Sequence, residues 1–236
     1  GSRSIPARVK IFLAFGFSLC VYPVLVDPGT GSAAGIAPVL DGQLSLWSLG
    51  AFVMLELLIG FLIGYATSLT MIALQVGGQL IDQQLGLALA GIINPELGEQ
   101  NGIISETLFL TGVTLFVALG GHRILFDVLI GSFQTVPLGG MAIDGHMLEL
   151  VVGLLGASFE MSIRVAAPLL CLIFLETLAM GFVARTVPQM NILSIGFAVR
   201  ILMGTALLVA AMGTMLVVFE AELARTMHTL SVYFGL

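Results

Sequence analysis

Glu160, Arg164, Glu176 and Arg200 each lie inside a long apolar run, where ionisable side chains are rare. A charged residue at the middle of a membrane helix costs about 2.5–3.5 kcal/mol on insertion scales, so such groups pair, face protein, or carry ions. Glu160 and Arg164 stand at i, i+4 with the acid N-terminal, the favourable order for a helix ion pair. In the simplest reading they neutralise each other. Glu176 and Arg200 flank a short polar turn that runs from Arg185 through Pro188 and Gln189 to Asn191. If that turn is the tip of a helical hairpin, the two charges lie at similar depth on its arms and can pair. A proton relay is the alternative chemistry for such acids.

Other reactive side chains suggest no catalyst. His122, His146 and His228 have no metal-ligand spacing, and no zincin, nucleophile-elbow or Walker pattern occurs. Neither a cofactor nor a metal is expected. Gly29, Gly31 and Gly35 imitate a dinucleotide fingerprint but lack the flanking strand and helix that it requires. Cys20 and Cys171 sit in apolar runs and read as packing residues, since two thiols make no disulfide framework. Eight basic residues spread through a chain of net charge −6 form no stripe that could neutralise a nucleic acid.

The elements that hold these residues follow from composition. Of 236 residues, 58% are hydrophobic and 9% charged, and the mean hydropathy is +1.11. Soluble domains carry about 25% charged residues, so lipid or other protein must be the solvent for most of this chain. The fold class is therefore all-α, a polytopic membrane protein of long kinked helical hairpins. Val9–Val26 is membrane-length, Asp27–Gln43 is a loop, and Leu44–Thr70 is a second apolar helix. In that helix Gly60 and Gly64 form a small-xxx-small pair, read as a site of tight helix packing. Ile103–Leu119 is a third helix, ended by Gly120 and Gly121, whereas Arg123–Gly140 is too interrupted to be a span. Leu148–Val183 exceeds one span and contains Pro168, which predicts a kink or split. Phe197–Phe219 is the last span, with a polar, helical tail from Glu220.

After Thr70 no helix stop is evident, yet Gln75, Gln79, Asp82 and Gln83 fall on one helix face. Such a stripe would be costly against lipid, so it faces a watery passage or a polar partner. Periodicity is equally compatible with a solvated helix outside the membrane. No basic residue occurs between Lys10 and Arg123, which leaves the positive-inside rule nothing to act on.

The stretches Ser2–Lys10, Glu56–Gly64, Gly77–Leu87, Gly121 and His122 with Thr135–Gly140, and Pro188–Asn191 leading into Ile195–Phe197 together resemble the FliR family of type III export-gate subunits. In order and spacing they cover nearly the whole chain. The resemblance implies one membrane domain over residues 1–236, with FliP-like helices over 1–147 joined to helices over 148–236 that include a FliQ-like hairpin at about 169–218. It implies a gating subunit of the bacterial inner membrane and flagellar basal body, assembled with FliP and FliQ and touching FlhB, around a conduit for unfolded export substrates. Family members carry an apolar helix ahead of the Ser2–Lys10 motif, so the chain is expected to begin inside a longer gene product. Closure in that family uses the loop matching residues 87–102. Relatives are often aromatic there, whereas this sequence offers Leu87, Leu89, Ile92 and Ile93, followed by Asn94, Pro95 and Glu96. The competing reading, a secondary transporter for a small molecule, requires repeated halves around a midplane site, and no convincing repeat is present.

Overall fold

The computed structural model describes residues 6–26, 46–87, 102–136, 145–187 and 192–234. They form six helices: α1 (Ala7–Val26), α2 (Leu46–Leu85), α3 (Ile103–Ala118), α4 (Gly121–Thr135), α5 (Gly145–Thr186) and α6 (Ile192–Tyr233). No strand occurs among the described residues. The expected loop over Asp27–Gln43 lies outside them, as does most of the loop before α3.

Three helices, α2, α5 and α6, are long and apolar enough to cross a membrane, and α3 with α4 would add a fourth if counted as one broken span. The chain is thus an all-α, multi-pass membrane protein. Two long helices run without a break, the first as the missing stop after Thr70 implies. The second apolar segment and the glutamine stripe form a single 40-residue helix, which no proline interrupts. Nor does Pro168 split its segment, since α5 runs unbroken for 42 residues through it. The ring removes one backbone N–H, which an apolar helix of this length tolerates. As expected, α3 ends at Gly120, whose φ of +74° is the left-handed conformation that glycine adopts without steric cost.

The chain divides into two compact units, residues 1–64, 123–144 and 229–236 in one and residues 65–122 and 145–228 in the other. In the first unit α1 meets α4 through stacked rings of Phe17 and Phe126, whose centroids are 4.4 Å apart. The second unit is organised around the C-terminal half of α2, where Ala66, Leu69, Ala73, Leu74, Ile81 and Leu85 are buried. Gly78 brings α3 close: a Cβ there would lie 2.4 Å from the Cα of Ser105. Gly77 similarly receives α5, with a Cβ position 3.0 Å from the carbonyl oxygen of Ser162. On the remaining side Thr70 donates to Thr226 of α6 at 3.3 Å. The helix that carries the polar stripe is therefore the core helix of its unit.

Candidate functional site

The last turn of α2 joins three helices. It ends at Gly86, with φ of +76°, where the Gly86 N–H donates to the Gln83 carbonyl at 3.2 Å and the Leu87 N–H to the Asp82 carbonyl at 3.0 Å. These are the two bonds of a Schellman stop, which satisfies two of the four orphan carbonyls at a helix end. The carbonyls of Gln84 and Leu85 are left over.

The side chains of that turn reach outwards in different directions. Asp82 is 2% exposed, and its carboxylate accepts from the backbone N–H groups of Ile104 (3.2 Å) and Ser105 (2.9 Å). It therefore serves α3 as an N-terminal cap supplied from another helix, satisfying two orphan donors and placing negative charge at the positive end of the dipole. Gly102 must be small here, because a Cβ would sit 2.0 Å from that carboxylate. Leu85, fully buried, fills a notch at Gly204 of α6, where a Cβ would meet its Cδ2 at 2.3 Å.

One helical turn before Gly204 lies Arg200. Its Nε donates to Oε2 of Glu176 at 3.0 Å, with Nη2 also 3.0 Å from that oxygen, and Nη2 donates to the Thr177 hydroxyl at 2.9 Å. Nη1 reaches the Gln84 carbonyl oxygen at 3.5 Å. Oε1 of Glu176 is buried with no hydrogen-bond partner among the described residues, and Glu222 Oε1 shares that condition. Glu176 faces Arg200 while Met180 faces Gly196, so the contacts run in opposite directions along the two helices. This places α5 and α6 antiparallel, and the pairing expected for two arms of a hairpin is present.

Other sequence-predicted residues fall elsewhere. Asp82 leaves the proposed conduit stripe, because capping α3 turns its carboxylate inward; Gln75 and Gln79 are half-buried and Gln83 is exposed. Glu160 and Arg164 pair as their spacing predicts, but with side chains 54% and 63% exposed they are not a buried pair. Cys20 and Cys171 are exposed and so do not pack inside the chain. Among the described residues nothing lies within 4 Å of a Cβ built at Gly60 or Gly64, so the close packing expected there is not found among them, and it occurs at Gly77 and Gly78 instead. Leu87 is half-buried and Arg185 exposed. Leu89, Ile92, Ile93, Asn94, Pro95 and Glu96 lie outside the described residues, as do Pro188, Gln189 and Asn191. No group of three His, Cys, Asp or Glu among the described residues could hold a metal ion.

Residues 1–226 match the model of the family described as bacterial export proteins, family 1. The chain belongs to that family. Within it, the flagellar biosynthetic protein FliR of Bacillus subtilis (strain 168) is 27% identical over 236 residues, covering 98% of this chain and 85% of that protein. FliR of Escherichia coli (strain K12) is 27% identical over 210 residues, covering 89% and 76%. FliR of Pectobacterium carotovorum subsp. carotovorum is 29% identical over 204 residues, covering 86% and 73%. The resemblance carried by the five sequence stretches thus extends to family membership. Sequence reasoning on this export-family chain missed Ser105, Gly102, Thr177 and Gly204, each of which acts on a partner distant in sequence. The one available signal was Gly86, a glycine just beyond a long helical pattern.

Proposed function

We propose that this chain is a structural and gating subunit of the flagellar type III export gate, a non-enzymatic protein of the bacterial inner membrane at the base of the flagellum. It assembles with FliP and FliQ, touches FlhB, and supplies one sector of a helical ring around a passage for unfolded flagellar proteins. The observation that carries this reading is the family match over residues 1–226, joined to relatives named for flagellar biosynthesis.

The surface of the chain supports burial in a larger assembly. In mid-α5 the Glu160–Arg164 pair stands exposed beside exposed Phe159 and Ile163. An ion pair in such an apolar face suits protein contact far better than acyl chains. Gly60 and Gly64 offer an open small-residue strip to another helix. On this reading Leu169–Val218 is the FliQ-like hairpin, tipped by Arg185, Pro188, Gln189 and Asn191. Gln75, Gln79 and Gln83 face the passage or a polar neighbour.

Closure is assigned to the segment that leaves α2 at Leu87 and returns at Gly102, with Leu87, Leu89, Ile92 and Ile93 as aliphatic stoppers ahead of Asn94, Pro95 and Glu96. Aliphatic side chains at a constriction exclude water and ions by dewetting and still yield to a polypeptide. Co-expression with FliP and FliQ tests the assembly. A stable complex that cannot be purified without this chain is expected, whereas a chain that is stable and moves a small solute alone in detergent contradicts the proposal.

A further inference from the structure

We infer that Arg200 is a positioning residue that ties the antiparallel α5 and α6 to the last turn of α2, and thereby sets the points from which the chain leaves α2 and re-enters α3. The Schellman bonds at Gly86 occupy the carbonyls of Asp82 and Gln83, leaving that of Gln84 without an intrahelical donor. No basic residue occurs in the last turn of α2 to complement the negative end of its dipole. Arg200 supplies that charge from α6, with Nη1 on the Gln84 carbonyl at 3.5 Å.

The guanidinium can do this because its other donors are fixed. Nε is held by Glu176 at 3.0 Å and Nη2 by Thr177 at 2.9 Å, so the planar fork is set before it meets α2. Four residues further along α6, Gly204 receives Leu85 in an independent, apolar contact with the same turn. Asp82, in that turn too, holds the N-terminus of α3 through Ile104 and Ser105. A displacement of α6 is therefore passed through Gln84 and Leu85 to Asp82, and from there to the first turn of α3. Every member of the linkage named here is a described residue of α2, α3, α5 or α6.

The linkage rests on the proposed export-gate role only for its use, since it fixes both roots of the segment assigned to closure. The test is R200K in the complex co-purified with FliP and FliQ, read by hydrogen–deuterium exchange and by ion leak in cells. Lysine keeps a charge for Glu176, but its three donors share one nitrogen and cannot span the positions that Nε, Nη1 and Nη2 reach on Glu176, Gln84 and Thr177. Peptides covering Gln83–Leu87 and Ile103–Glu106 should exchange about tenfold faster, the scale of losing one charged hydrogen bond, with α5 and α6 peptides unchanged. Faster exchange with ion leak supports both the linkage and the closure role. Faster exchange without leak supports the linkage and contradicts closure by this segment. Unchanged exchange at both peptides, or uniform acceleration along α5 and α6, overturns the inference. Should R200K prevent assembly, T177V is measured by the same criteria, because it removes a single partner of Arg200 and leaves the pair with Glu176.

Discussion

Arg200 and Glu176 form a bridge between α6 and α5 in which Nε and Nη2 both lie 3.0 Å from a single carboxylate oxygen. Glu176 has only 3% of its side chain exposed, against 30% for Arg200, so the acid bears most of the desolvation. Removing one partner of a buried pair costs about 3–5 kcal/mol, because the other charge is left without compensation. R200A should accordingly lower the thermal stability of the purified complex, with a loss near the lower end of that range. E176R combined with R200E should recover part of it. A double variant no better than either single one would show that the pair is not what these positions contribute.

Asp82 caps α3 with two hydrogen bonds, one to each of two backbone N–H groups. D82A should destabilise the protein by about 1–2 kcal/mol, the scale of a lost N-cap, and D82N by less, since its single amide oxygen still accepts one of the two bonds. Chemical unfolding in detergent distinguishes the two. Equal losses for D82A and D82N would mean that charge, rather than hydrogen bonding, holds α3.

Gly78 and Gly60 look alike in sequence and differ in surroundings. G78A drives a methyl into backbone at 2.4 Å and should cost about 1–3 kcal/mol or prevent folding, whereas G60A meets nothing within 4 Å. G60L should leave the folded chain intact but reduce co-purification of FliP and FliQ. Normal recovery of both partners with G60L would remove the small-residue strip from the assembly surface.

The Glu160–Arg164 pair is exposed, and in water such pairs contribute roughly 0–1 kcal/mol. Helicity and monomer stability should therefore change little in E160A or R164A. Yield of the assembled complex should fall if this face is the proposed protein interface, as each variant then leaves one charge unpaired there. Quantitative pull-down at fixed expression checks this.

Local patterns were the legible part of this sequence. The spacing of Glu160 and Arg164 fixes their pairing within one helix, and the polar turn before Asn191 placed Glu176 opposite Arg200. What escaped were partners set by tertiary approach. Asp82 shares a helix face with Gln75 and Gln79, and nothing local announces that it caps a helix start 22 residues away. The Gly60–Gly64 strip carries a recognised packing pattern, yet α3 and α5 approach at Gly78 and Gly77, which carry none. Cys20 and Cys171 are surrounded by apolar residues in sequence, but in helices that are apolar on every face hydrophobicity does not report which side is buried.

Closure of the passage by the stretch between Leu87 and Gly102, as proposed, would be visible in the ion permeability of the inner membrane. Gly102 is best retained, since its carbonyl accepts from the Glu106 N–H at 3.1 Å and the Ser105 hydroxyl at 2.8 Å. Cells expressing the complex with Leu89–Asn101 deleted, which removes three of the four aliphatic stoppers, should assemble it at normal yield and leak ions across the inner membrane. An assembled complex whose permeability equals that of the intact gate would contradict the account and place closure in another part of the assembly.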